Sequence, residues 1–264
     1  MKYQTHVDPF SQISGQYDRE FSDHLETKRI RERVQQLALK YFAKHSRVLE
    51  LNCGTGIDAQ FLNHNHFSVL ASDRSLSMLR VAQRNALSSE HPIQWMLLPI
   101  ERLDAIKSQS VDAIFSNFGG LNCIENIEEV LDQCYHIVRE NGRMILCFIN
   151  KYSLWEMGAF LFRGKVRQAF RRWSHSQIAV PVGQEHVFVW YHSLGRLKKA
   201  MKNKFTILRI IGTNIITPLP ASHRFSHRHP TLVKWLSFIE RRIDSLPLIS
   251  SFGDHIIFVL ERFE

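Results

Sequence analysis

Val48-Leu49-Glu50-Leu51-Asn52-Cys53-Gly54-Thr55-Gly56-Ile57-Asp58-Ala59 decides how the rest of the chain reads. An apolar-rich strand runs into a glycine turn, and a helix opens after it. Without a Cβ, Gly54 and Gly56 let the backbone take positive φ and approach a ligand closely. The free N–H groups at the helix start favour an anionic group nearby. Seventeen residues past Gly56, Asp73 ends the second β-like run, where a carboxylate can accept hydrogen bonds from a ribose diol. Gly54-x-Gly56-x-x-Ala59 also fits the dinucleotide template, and a purely structural strand-to-helix turn uses glycine as well. Glu50 weighs against a dinucleotide. No lysine or arginine lies in the loop, and a carboxylate so close repels a pyrophosphate but suits a cationic amino-acid ligand.

Outward from this stretch, short β-like runs at Arg47–Leu51, Phe67–Ser72, Ile93–Leu98, Val111–Ser116 and Met144–Ile149 alternate with helical patterns. Residues 24–43 form an amphipathic helix through Ile30, Val34, Leu37 and Tyr41. Ser75–Ala86 and Glu125–Arg139 are further helices, the latter ended by Asn141-Gly142. Alternation of this kind forces a parallel sheet covered on both faces. After residue 150 the rhythm changes. Residues 151–173 read as helical, basic and aromatic, Glu185–His192 as an extra strand and Leu194–Asn203 as a helix. Phe205–Ile211 and His255–Glu261 are closing strands, separated by a helix with the stripe Leu232, Leu236, Ile239, Ile243. The organisation is therefore 1–45, an N-terminal helical segment; 46–150, an α/β core; 151–204, a cap; and 205–264, closing strands with an inserted helix.

Composition sets outer limits. The chain has 264 residues, 44% apolar and 22% charged, which excludes a disordered or collagen-like chain. No run approaches the ~20 apolar residues that span a bilayer, and Met1–His6 has no signal-peptide character. Cys53, Cys123, Cys134 and Cys147 show no CxxC pairing and suit a reducing cytoplasm. Residues 1–150 hold 16 Lys/Arg against 18 Asp/Glu, whereas residues 151–264 hold 18 against 7, so the basic surface belongs to the second half.

The glycine stretch resembles motif I of the class I S-adenosylmethionine-dependent methyltransferases, E/D-x-G-x-G-x-G, with Asn52 in place of the first glycine. Asn tolerates left-handed backbone next best after glycine. Asp73-Arg74-Ser75-Leu76-Ser77-Met78-Leu79 resembles that family's D-x-S-x-x-M-L segment, Arg139–Arg143 its turn before strand five, and Tyr17-Asp18 a Y-D pair that covers the cofactor. The resemblance implies an α/β, Rossmann-like core with a mostly parallel seven-stranded sheet, helices on both faces and a late inserted cap. It implies S-adenosyl-L-methionine as cofactor, with contacts from Tyr17, Glu50, Asn52, Gly54, Gly56, Asp73, Arg74, Met78, Ile100, Glu101 and Asn117. Pro99 stands where many relatives place an adenine-binding Asp, which leaves Ile100 under the ring and backbone or Glu101 for its polar edge. Asn117-Phe118-Gly119-Gly120-Leu121-Asn122-Cys123, Leu154-Trp155-Glu156 and Ala169-Phe170-Arg171-Arg172 together resemble a bacterial subgroup without a defined substrate.

A sulfonium methyl is already activated, so holding a nucleophile in line can supply most of the acceleration and no triad is expected. The candidates near the transferred methyl are Asn117, Asn122 and His192, and those for acceptor contact are Asn122, Trp155 and Tyr191. The sequence Asn117–Cys123 is not the N-P-P-Y/F of amino-methylating nucleic-acid enzymes, which weighs against nucleic acid. His223, His227 and His229 lack cysteine or carboxylate at ligand spacing, so no metal is expected. A basic belt runs through Arg163, Lys165, Arg167, Arg171 and Arg172, then Arg196, Lys198, Lys199, Lys202 and Lys204. With Phe160, Leu161, Phe162 and Trp173 among it, the belt suits an acidic carrier protein or an anionic membrane surface that presents a small-molecule or lipid-like acceptor. An NAD(P)-dependent oxidoreductase and a catalytically inactive protein of the same fold are the alternative readings.

Overall fold

A computed structural model describes residues 9–22, 24–87, 91–174, 176–219 and 223–263. Nine strands are formed among them: β1 (Arg47–Leu51), β2 (Ser68–Asp73), β3 (Gln94–Leu97), β4 (Val111–Ser116), β5 (Val138–Ile149), β6 (Ile178–Val182), β7 (Glu185–Val189), β8 (Phe205–Thr213) and β9 (His255–Arg262). Seven build one sheet in the order β3-β2-β1-β4-β5-β9-β8, while β6 and β7 make a separate hairpin. Pairing is parallel from β3 to β5 and antiparallel at β9 and β8. The helices are α1 (Leu25–Tyr41), α2 (Ile57–His64), α3 (Leu76–Asn85), α4 (Ile127–Ile137), α5 (Leu154–Phe162), α6 (Val166–Ala169), α7 (Leu194–Met201), α8 (His223–Arg228) and α9 (Pro230–Ile243).

The central strands are apolar on both faces because each face is covered. One core sets Leu49, Leu51, Ile114, Met144, Leu146, Phe258 and Leu260 against α4 and α7. The other sets Val48, Phe115, Ile145, Cys147, Ile257 and Val259 against Ile30, Val34, Leu37 and Ala38 of α1. Neighbouring residues of one strand thus fall in opposite cores, as the period of two requires. The parallel strands all end at one edge, and the loops after β1, β2 and β4 meet there.

Several expectations needed correction. α4 stops at Ile137, and Asn141-Gly142 does not end it. Instead Val111 pairs with Val138 and Ala113 with Arg143, so Arg139–Gly142 bulge out of β5, with Asn141 at φ 58°. The Glu185–His192 run splits: only Glu185–Val189 is strand, paired with β6 outside the main sheet, and Trp190–His192 form a linker. On α9 the buried residue is Val233, while Leu232, Trp235 and Phe238 are exposed. Of the expected stripe, Leu236, Ile239 and Ile243 are half-buried and only Leu232 is exposed.

Candidate functional site

The turn after β1 is built on left-handed backbone, with φ of 51° at Asn52, 54° at Gly54 and 80° at Gly56. Asn52 holds its place through its side chain. Its Nδ2 donates to the Asn117 carbonyl (2.9 Å) and its Oδ1 accepts from Ser116 Oγ (2.7 Å). This clips the β1 loop to the β4 loop. At the end of β2, Asp73 accepts from the Gly54 N–H through Oδ2 and from the Ser75 N–H through Oδ1, both at 2.8 Å.

These loops enclose a cavity of about 350 Å³. Tyr17, Glu50, Asn52, Gly54, Asp73, Arg74, Met78, Ile100, Glu101 and Asn117 all line it, ten of the eleven residues expected from sequence. Gly56 does not. A Cβ there would come within 2.9 Å of Ala82 and Trp95, so this glycine serves the packing of the turn on α3 and β3. Arg74 and Glu101 face each other across 3.8 Å at the exposed rim.

The cavity lining is of two chemical kinds. Glu50, Asp58 and Asp73 supply three carboxylates, with the Arg31 guanidinium beside Asp58 at 3.9 Å. Asp58 also accepts from Gln35 (2.7 Å) and Asn117 (3.1 Å). Burial, then the nearby Asp58, push the Glu50 carboxyl well above its ordinary pKa. Its Oε2 is buried and has no hydrogen-bond partner. An orphaned acidic oxygen on a ligand cavity fits a cationic amino group. The rest is largely apolar: Val180 and Val182 of β6 and Val187 and Val189 of β7 give it a valine roof, with Phe118, Ile124 and Ile149 also in the lining. Phe118 sits at φ 52°, a costly conformation for a bulky residue, beneath the Arg31 guanidinium at 4.8 Å. Burial pushes the Cys123 thiol up to about 11, so the sulfur on this wall is neutral. The N-terminal segment closes the cavity with Phe10, Tyr17 and Phe21, and the Thr55 hydroxyl donates to Asp18 at 2.6 Å.

The remaining sequence candidates lie elsewhere. Asn122 is fully buried and bridges backbone: it donates to the Ile149 carbonyl (3.0 Å) and the Trp190 carbonyl (2.9 Å) and accepts from the Ile149 N–H (2.7 Å). It positions the cavity wall and does not face the cavity. Trp155 packs on Phe225, with ring centroids 6.1 Å apart. Tyr191 and His192 line a second cavity. The His192 Nε2 lies 2.9 Å from the Ile124 carbonyl, and burial pushes its pKa down to about 4. The structure therefore gives no support to His192 as a base for a reaction in the first cavity. Among the expected histidine ligands, the side chains of His223 and His227 lie outside the described residues. Among the described residues, no group of three His, Cys, Asp or Glu could hold a metal ion.

Sequence reasoning missed Asp58, Arg31 and the valine roof. Asp58 stands two residues after Gly56, and that spacing was the available signal. Arg31 falls on the polar side of α1, and the hairpin valines alternate as any strand would, so neither carried a distinguishing mark.

The cavity lies at the edge where the open sheet reverses its strand order, the place where ligands of open α/β sheets bind. Residues 48–142 match a family described as a methyltransferase domain. A ubiquinone biosynthesis O-methyltransferase from Xylella fastidiosa is 29% identical over 129 residues, covering 45% of this chain and 50% of that protein. A malonyl-[acyl-carrier protein] O-methyltransferase from Hamiltonella defensa is 31% identical over 114 residues, covering 43% and 42%. The chain spans about half the length of the curated relatives it matches. An S-adenosylmethionine-dependent methyltransferase from Clostridium acetobutylicum shares the fold, with a TM-score of 0.62 at 13% identity over 97% of this chain and 99% of that one. The α/β core of this chain is therefore similar in sequence to a methyltransferase domain over residues 48–142 and shares its fold with S-adenosylmethionine-dependent methyltransferases.

Proposed function

We propose that the chain is an S-adenosylmethionine-dependent methyltransferase for an apolar small-molecule or lipid-like acceptor. One observation carries the reading: a single cavity combines three carboxylates with a largely apolar lining. Glu50 would hold the amino group of the cofactor, Asp73 its ribose, and Met78 and Ile100 its adenine. Bound there, S-adenosylmethionine supplies a methyl group on a cationic sulfur. The rest is positioning. The valine roof and Phe118 exclude water and hold the acceptor, and Tyr17 covers the cofactor side. Fixing the reacting atoms in line is worth several powers of ten in rate. Three carboxylates disfavour the pyrophosphate of a dinucleotide, so the oxidoreductase reading loses its support. Asn52 is well accommodated, which removes a motive for the inactive reading.

The acceptor is presented by an anionic surface, a carrier protein or membrane, at the cap. Phe162 is 96% exposed and is followed by exposed Arg163, Lys165 and Arg167. The belt is narrower than its sequence suggests, because Arg171 and Arg172 bind Glu156, Arg196 binds Glu128 and Lys204 binds Asp132. Four free thiols among the described residues agree with a reducing compartment such as the cytoplasm.

The test is transfer of labelled methyl from S-adenosylmethionine into an organic-solvent extract of bacterial metabolites, against Asp73→Ala as control. Label in the apolar fraction that depends on Asp73 supports the reading. Label confined to water-soluble products contradicts the acceptor class. Replacing Arg163, Lys165 and Arg167 by Glu should reduce transfer to presented acceptors and leave cofactor binding unchanged.

A further inference from the structure

The second cavity, of about 230 Å³, lies back to back with the first. Val189 faces the first cavity, and the next residues, Trp190 to Ser193, line the second. Ile149 and Lys151 divide in the same way on either side of Asn150.

Lys151 is the unusual member. It is only 7% exposed, and among the described residues its ammonium group makes one long contact, donating to the Ser174 carbonyl at 3.4 Å. No carboxylate is among the described lining residues. The nearby acids are taken. Glu156 binds Arg171 and Arg172, Asp254 binds Arg172, and Glu128 binds Arg196 through two contacts of 2.7 Å. Burial lowers the Lys151 pKa, as expected for a cation without a counter-charge. His192 supplies no negative charge to compensate it.

Other donors converge on the same space. Ser193 Oγ accepts from the Arg196 N–H at 3.2 Å, which leaves its own proton for a ligand. Ser174 and Ser176 share one hydroxyl proton across 2.8 Å, so one of their two protons remains to donate. Tyr152 and Tyr191 also line this cavity. Donors on several sides suit a tetrahedral oxyanion better than a flat carboxylate.

We propose that the second cavity is a binding site for phosphate or a small phosphate monoester, with Lys151 as counter-ion. It is independent of the methyl-transfer site. A ligand bound there would rest against the Trp190–Ser193 linker, whose Trp190 N–H donates to the Asn122 carbonyl at 2.7 Å and so ties it to the first cavity's wall.

Calorimetric titration of the full chain with inorganic phosphate, against chloride at matched ionic strength, tests the proposal. Saturable binding is expected, weakened at least about tenfold by Lys151→Met and retained by Lys151→Arg. Ser176→Glu, at an exposed position on the cavity mouth, should abolish it by placing a carboxylate where the anion sits. Glycerol phosphate binding more tightly than inorganic phosphate would mark the ligand as an ester; equal binding would mark it as the free ion. Adenosylhomocysteine binding, measured on each variant, reports folding and the first cavity separately. Absence of saturable phosphate binding to the wild type, or equal binding by Lys151→Met and Ser176→Glu, overturns the proposal.

Discussion

The side chain of Asn52 occupies the space that a Cβ on Gly120 would fill: the added carbon would lie 2.3 Å from Asn52 Cγ. The two residues sit on different loops, after β1 and after β4. A glycine missing from one loop is thus balanced by a glycine in the other. Gly120→Ala should displace Asn52, break its bonds to Ser116 and Asn117, and weaken adenosylhomocysteine binding by about tenfold or more, roughly the loss of one to two hydrogen bonds. Asn52→Gly combined with Gly120→Ala should bind better than Gly120→Ala alone. Calorimetry on the three variants checks the coupling.

Glu50 couples ligand binding to pH. Its carboxyl pKa is raised by burial and by Asp58. A cationic amino group beside it favours the ionised form, so binding releases a proton and strengthens as pH rises through the Glu50 titration. Glu50→Gln should bind more weakly and lose that component of the pH dependence. Titrations in buffers of different ionisation enthalpy measure the proton released.

Arg172 is a structural centre rather than a docking residue. It binds Glu156, Asp254 (2.8 Å) and the Asn150 carbonyl (3.0 Å), and its charge holds the Asp254 carboxyl far below the usual carboxylate range. Arg172→Met leaves the buried Asp254 without its guanidinium and Glu156 with Arg171 alone, and should cost about 3–5 kcal/mol of stability. Arg163→Ala, on the exposed surface, should fall within about 0.5 kcal/mol of wild type. Urea denaturation of the two variants separates the roles.

His192 predicts an acid-side loss of stability. Its folded pKa, about 4, lies below that of an unfolded histidine. Between about pH 6.5 and 4 the unfolded chain takes up a proton that the folded chain refuses, so stability falls as pH falls, by on the order of 3 kcal/mol. His192→Gln keeps a donor for the Ile124 carbonyl and should flatten that part of the profile. Denaturant midpoints across this pH range check it.

How much of this was legible beforehand depended on the range of the interaction involved. The β1 turn, Asp73 and the alternation of strands could be read because each depends on residues adjacent in sequence. β4 runs Val111–Ser116, as its apolar run indicates. Asn122 and His192 were misjudged because their partners, Ile149, Trp190 and Ile124, are brought to them by tertiary contact. Arg171 and Arg172 read as a surface belt because Glu156 and Asp254 approach them only in the folded chain. The valine roof depends on β6 and β7 folding away from the main sheet, which no local pattern specifies.

The most direct measurement is calorimetric titration of adenosylhomocysteine into the wild type and Asp73→Ala. The account predicts saturable one-to-one binding by the wild type and its loss in a variant whose circular dichroism is unchanged. Well-folded wild-type protein that binds no adenosylhomocysteine, or that releases it to NAD, would contradict the account.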